Sequence, residues 1–159
     1  VSALVVTIQG KDLAVVDRVM ARLSPFDGMT LMEGLARLMQ QQTRRRIEEE
    51  KTAPDGAPWK ANRAGTSTLY KSGALSASID YSASASRIEL GSGLVYARIH
   101  QEGGVIRPKS GKALVFQAGN QMVFARQVTI PARPFIGVSK ANGTEILMAT
   151  VDFIRRKLG

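Results

Sequence analysis

Residues 30–50 read TLMEGLARLMQQQTRRRIEEE, and this stretch sets the frame for the rest of the chain. Leu31, Leu35 and Leu38 recur at helical spacing, with Met32 and Met39 beside them. Thr30 and Glu33 have the capping-box form, in which hydroxyl and carboxylate satisfy each other's free backbone donors. The spacing predicts the longest helix of the protein over about 30 to 50. Its far end can close the ion pairs Arg44–Glu48, Arg45–Glu49 and Arg46–Glu50 at i,i+4. Such pairing favours a solvated helical face over a nucleic-acid contact.

Before that helix, Ala3 to Ile8 is a short β-branched run ending at Gly10 and reads as a strand. Asp12 can cap a helix carrying Leu13, Val16, Met20 and Leu23, which Ser24-Pro25 stops. After it the periodicity changes. Ala77, Ile79 and Tyr81 alternate with Ser78, Asp80 and Ser82, the pattern of a half-buried strand within the serine- and alanine-rich stretch 72–86. A turn near Ala83 to Ala85 leads to a partner strand, Arg87 to Gly91, with Ile88 and Leu90 inward.

Tyr96 to Gln101 suits one helical turn ended by Gly103-Gly104. Val105 to Arg107, Ala113 to Phe116 and Met122 to Ile130 read as further strands, with a turn at Gly119-Asn120. Arg107 to Lys112 is expected to be a mobile basic loop. A last helix opens near Asn142-Gly143-Thr144-Glu145, with Leu147, Val151, Ile154 and Leu158 on one face. Arg155, Arg156 and Lys157 in its last turn suit the helix dipole. The order predicts a single α+β domain over 1–159. One antiparallel sheet is packed by the long helix and the C-terminal helix, with extended loops.

Between these elements lie two unusual segments. Pro54-Asp55-Gly56 is a turn sequence, and Pro58-Trp59 puts the only tryptophan in a loop, as a plug for the core edge or as an interface anchor. Ile130-Pro131-Ala132-Arg133-Pro134-Phe135-Ile136-Gly137 brackets one arginine with prolines, which fixes an extended, rigid strap.

At 159 residues the chain can bury a real core. Hydrophobic residues make up 44% and aromatics only 6%, so aliphatic packing must carry that core. No apolar run approaches the length needed to cross a bilayer, and no secretory signal is visible. The absence of cysteine excludes disulfides and thiolate metal sites. Net charge is +9 and uneven: residues 1–80 hold eleven basic and nine acidic groups, residues 81–159 eleven and four. Such a surplus fits a soluble basic surface, contact with nucleic acid, or an acidic partner. Aromatic and basic residues do not interleave in the way that stacks bases.

The chemistry of an enzyme is poorly represented. A zinc site would have only His100 besides carboxylates. No serine occupies a G-x-S-x-G elbow. Gly111-Lys112 lacks both the spacing and the following Ser or Thr of a phosphate loop. His100 beside Tyr96 reads as a structural histidine, and a hydrolase centred on it is the weakest reading. No cofactor is expected.

Four blocks together carry a resemblance. They are Pro54-Asp55-Gly56-x-x-Trp59, Ser72-Gly73-x-Leu75-x-x-Ser78-Ile79, Tyr96-Ala97-x-x-His100-Gln101-x-Gly103-Gly104 and Ile130-Pro131-Ala132-Arg133-Pro134-Phe135. In order and spacing they resemble the phage virion morphogenesis family, which includes tail-completion proteins of Mu-like and P2-like phages. Glu102 and the short stretch between Trp59 and Leu69 depart from the pattern.

The resemblance implies a non-enzymatic structural protein of the virion neck, made in the host bacterial cytoplasm. It would form a homo-oligomeric, hexameric ring at the head–tail junction. Its partners would be head-connector (portal-side) proteins and tail-terminator or tail-tube proteins, with double-stranded DNA passing nearby and no membrane. Tail-terminator and head-completion roles share the same size and charge, and a DNA-binding module using the basic second half is the alternative of another class. Candidate interface residues are Trp59, Tyr96, His100, Gln101, Arg107, Lys109, Lys112, Arg133 and Phe135.

Overall fold

The strand Leu4–Ile8 (β1), the strand Ile79–Ser84 (β2) and the strand Arg87–Ser92 (β3) form an antiparallel sheet with β3 in the centre. This computed structural model describes residues 4–8, 25–62, 65–118 and 121–158. The register sets Ile88 opposite both Ile8 and Ala83, and Leu90 opposite both Val6 and Tyr81. Alternation then sends Ile79, Ile88 and Leu90 into the core and leaves Asp80, Ser82 and Ser84 exposed.

A long helix, Pro25–Arg45 (α1), packs on β2 and β3 and is prolonged by one π-helical turn, Arg46–Glu50. Its start differs from the expectation. Pro25 is the first helical residue, because the first turn has no use for the N–H that proline lacks. Thr30 therefore lies inside the helix and does not cap its start. Leu31, Met32, Leu35, Ala36 and Met39 form the buried stripe with Ile88 of β3. Gln40 Nε2 and Arg44 Nη2 both donate to the Ile79 carbonyl, at 2.7 and 3.0 Å, tying the helix to the head of β2.

The expected helix over 12–23 and the turn at Gly119-Asn120 fall wholly outside the described residues. Ala77 belongs to a short helical turn, Ala74–Ala77 (α2), and is exposed, so the strand begins at Ile79 and not before. The reversal between β2 and β3 is made by Ala85 and Ser86. The helix Ala97–Glu102 (α3) is ended by Gly103 as expected.

Four further strands follow: Gly104–Ile106 (β4), Leu114–Ala118 (β5), Gln121–Ala125 (β6) and Val128–Ile130 (β7). Residues 122–130 are thus two strands, parted at Arg126-Gln127. The α+β class holds, but the strands divide among three small antiparallel sheets: the one around β3, the pair β4–β7 and the hairpin β5–β6.

The C-terminal helix, Lys140–Leu158 (α4), packs on α1. Ser139 Oγ caps it by accepting from the Asn142 amide at 3.1 Å. Its buried face is Asn142, Ile146 and Thr150, with Ala149 and Phe153 beside them. The expected stripe through Leu147 and Val151 is rotated outward, and Leu147 is exposed. Two polar residues take the inner face because each finds a partner there: Asn142 with Arg46, and Thr150 with the Ile146 carbonyl at 2.8 Å.

Two apolar clusters result. One, under α1 and α4, centres on Leu35, Met39 and Ile146. The other gathers Ile47, Trp59, Leu75, Ile79, Leu90 and Phe135. Tyr81 touches both.

Candidate assembly site

The strap leaves β7 at Ile130, and residues 131–137 cross the second cluster without joining any sheet. Extended backbone in a core must find partners for its polar groups. Here side chains supply them. Four consecutive carbonyls accept in turn: Pro134 from Trp59 Nε1 at 3.0 Å, Phe135 from Arg46 Nη1 at 3.0 Å, Ile136 from Gln101 Nε2 at 3.0 Å, and Gly137 from Arg46 Nη1 at 2.9 Å. Gln101 Oε1 accepts from the amides of Phe135 and Ile136, at 2.9 and 3.0 Å. Phe135 and Ile136 are anchored in the core beneath.

Each clamp sits where local structure puts it. Trp59 is held by a small loop in which the Trp59 amide donates to Lys51 O at 3.0 Å and Asp55 Oδ1 accepts from the Ala57 amide at 2.9 Å. Gln101 projects from α3, which Gly103 closes at φ 73°. A Cβ on Gly103 would lie 2.7 Å from the Ala132 amide nitrogen, so the strap passes too close for any other residue. Arg46 opens the π-helical turn that ends the long helix.

Arg46 corrects the expectation of a solvated charged face. It is fully buried, and besides two strap carbonyls it donates to Asn142 Oδ1. Burial lowers its pKa. Of the three expected ion pairs only Arg46–Glu50 forms, at 3.9 Å. The wider π turn brings Arg45 over Glu50 at 3.0 Å, and Arg45 also reaches Glu145 at 2.9 Å. Arg44 is spent on β2, and Glu48 accepts from Ser76. The signal was in the periodicity. Position 46 follows Leu35, Met39 and Gln42 on the buried stripe of the helix.

Of the residues singled out from sequence, the fold brings together Trp59, His100, Gln101, Arg133 and Phe135 around the strap. Arg133 is buried, with Nε donating to Lys60 O at 2.8 Å and its amide to His100 O at 2.7 Å. It is a fixed structural arginine. Trp59 and Phe135 are likewise committed inside the chain. His100 is half-buried against the Tyr96 ring, edge to face with centroids 5.9 Å apart. Burial, then the neighbouring charge of Arg133, depresses its pKa. Its Nδ1 is buried without a hydrogen-bond partner among the described residues.

Both His100 and Tyr96 line a cleft of about 320 Å³ with Leu69, Tyr70, Gly73 and Leu75. Among the described residues no group of three or more His, Cys, Asp and Glu could hold a metal ion. Nor, among them, is any helix long and apolar enough to cross a membrane.

Arg107, Lys109 and Lys112 lie apart from the strap. They are exposed on the loop between β4 and β5, and none of them forms an ion pair among the described residues. That loop leads into the β5–β6 hairpin, whose strands were expected from the sequence but whose separation from the larger sheet was not. Val115, Phe116, Met122 and Phe124 on it are all exposed. Their hydrophobicity was legible, but not that the strands would pair only with each other.

The blocks 54–59, 96–104 and 130–135 thus meet in one clamped strap, and Leu75 and Ile79 of the block 72–79 pack in the same cluster. Comparison with curated proteins, and with solved structures, returns no match. The sequence model of the phage virion morphogenesis family matches residues 11–155, nearly the whole chain, and the protein belongs to that family.

Proposed function

We propose that this chain is a non-enzymatic structural part of the virion neck, where copies assemble as a hexameric ring that joins the head connector to the tail. The observation that carries the reading is the contrast between two regions. The strap is locked by side chains from three other elements, whereas the β5–β6 hairpin presents Phe124, Met122 and Val115 to solvent at 71, 60 and 54% exposure. A rigid body with an uncovered apolar arm suits a protein whose contacts are completed by other proteins. Membership of a virion morphogenesis family supports this. His100 lends no support to hydrolysis, since no carboxylate among the described residues hydrogen-bonds its buried Nδ1.

The test is complementation of a phage lacking this gene. Loss of the protein is expected to leave full heads and finished tails unjoined in electron micrographs. Joined particles in its absence would refute the reading. Heads that leak DNA would move the role to head completion, and tails of irregular length would move it to tail termination.

The exposed cations of the 107–112 loop favour a second, compatible property, proximity to DNA in the channel. It predicts weak duplex binding that falls steeply with salt. Absence of binding at low salt would remove it.

A further inference from the structure

Asn62 and residues 65–73, which lead into α2, wall two adjoining depressions. The cleft of about 320 Å³ takes in Asn62, Leu69, Lys71, Leu75, Tyr96 and His100. A second, more open depression of about 460 Å³ is bordered by Arg44, Glu48, Ser76 and Ala77. Tyr70, Ser72, Gly73 and Ala74 line both, so the two join into one groove that runs from His100 past Tyr70 to Arg44. Either part falls within the range of about 300–1,000 Å³ of sites that enclose a small ligand, and together they hold an extended segment.

The wall is fixed in place. Asn62 Nδ2 donates to the carbonyls of Thr66 and Ser67, both at 3.2 Å. Lys51 Nζ donates to the Thr68 carbonyl at 3.1 Å and to the Ile47 carbonyl, tying the wall to the end of the long helix. Next to Thr68, Leu69 is held at φ 57°, in the left-handed region that an apolar residue other than glycine seldom adopts. Such strain persists only where neighbouring contacts over-determine it, and it gathers at ligand clamps. A groove formed before its ligand arrives spares binding the cost of ordering it.

The charge of the groove is unbalanced. Lys71 is exposed and Arg44 half-buried, and neither has an ion-pair partner among the described residues. Glu48 is the one carboxylate among the residues lining either depression, and it already accepts from Ser76 Oγ. Leu69, Leu75 and the Tyr96 ring give an apolar side chain a seat. Stacking of nucleic-acid bases is poorly served. Lys51 Nζ occupies one face of the Tyr70 ring, 5.2 Å from its centroid, and the Tyr96 ring is engaged edge to face with His100.

We infer that this groove binds an acidic linear segment of a partner protein, with carboxylates at Lys71 and Arg44 and an apolar side chain against Leu69 and Tyr96. The groove belongs to a single copy, so it adds a partner class to the neck reading without requiring a ring. The cations select and orient the segment, and the apolar seat supplies the buried anchor.

The purified chain suffices for the test. Random decapeptides selected against it are expected to enrich for several carboxylates around a large apolar residue. A synthetic peptide of the enriched sequence should bind less tightly as salt rises. Lys71→Glu should weaken it about tenfold or more, by setting like charge against the carboxylates. Ala74→Phe, which fills the part shared by both depressions, should abolish binding. Both positions are exposed, so the urea midpoint followed by Trp59 fluorescence is expected to stay in place.

Enrichment of neutral or basic peptides, or of none, would overturn the acidic segment. Binding unchanged in both variants would put the peptide elsewhere and overturn the groove. An oligothymidylate that displaces the peptide, and whose own binding is lost in Lys71→Glu, would make this a single-strand site and overturn the protein partner. None of these failures touches the joining of heads to tails, which complementation decides separately.

Discussion

Arg46 reaches across 89 residues of sequence to Phe135, donating from Nη1 to its carbonyl at 3.0 Å, and neither residue has measurable exposure to solvent. The same guanidinium serves Gly137 and Asn142, so one side chain joins the long helix, the strap and the C-terminal helix. Its planar fork can meet several acceptors in fixed directions, which a lysine ammonium cannot reproduce.

Arg46→Ala leaves the carbonyls of Phe135 and Gly137 and the amide oxygen of Asn142 without that donor in a buried setting. Each buried polar group left unsatisfied costs about 1–3 kcal/mol. The expected result is a large fall in the urea midpoint with the slope unchanged, and Arg46→Lys should recover only part of it. Trp59 is the only tryptophan and bonds to the strap, so its fluorescence reports the transition where it matters. A midpoint equal to that of the parent would show that Arg46 does not hold the strap.

Gly103→Ala forces a Cβ to within 2.7 Å of the Ala132 backbone at a φ of 73°. The left-handed conformation alone costs about 1–3 kcal/mol for a residue other than glycine. The clash with backbone adds to it, because backbone cannot swing aside as a side chain can. Gly111 has φ 89° but open space around it, so Gly111→Ala carries the conformational cost alone. Thermal unfolding should rank Gly103→Ala as the more damaging of the two, and the reverse order would contradict the close approach of strap and α3.

His100 gives a pH dependence with a definite sign. Its folded pKa is lowered from 6.5, first by burial and then by the charge of Arg133. The unfolded chain therefore takes up its proton first as pH falls. The contribution is complete above about 6.5, is lost progressively below that value, and stops changing once pH has passed the folded pKa. His100→Gln should flatten this part of the stability profile below neutral pH, as read by urea midpoints. A profile identical to that of the parent would show that His100 does not contribute.

Phe124→Ser with Met122→Ser should separate folding from assembly. Both side chains are exposed, and surface changes of this kind alter stability by less than about 0.5 kcal/mol. The urea midpoint of the free chain is expected to stay in place while incorporation into particles falls sharply. Full incorporation would show that the hairpin is not a contact surface.

What was legible in the sequence was whatever depends on neighbours a few residues apart. The apolar spacing of Leu31, Leu35 and Leu38, the alternation of Ile79 and Tyr81 with Asp80 and Ser82, the Pro54-Asp55-Gly56 turn and the stop at Gly103 each follow from local backbone geometry. The α+β class and the four blocks of the family followed from these.

Only the tertiary structure decided which polar residues go inside. Arg46 and Asn142 look like surface residues because charge and amide groups are costly to bury alone, and the partners that offset that cost lie 89 to 96 residues away. It also decided how the strands are shared among sheets, leaving the β5–β6 hairpin paired only with itself. Alternation predicts a strand but not its neighbour, since pairing depends on where the intervening loops can carry the chain.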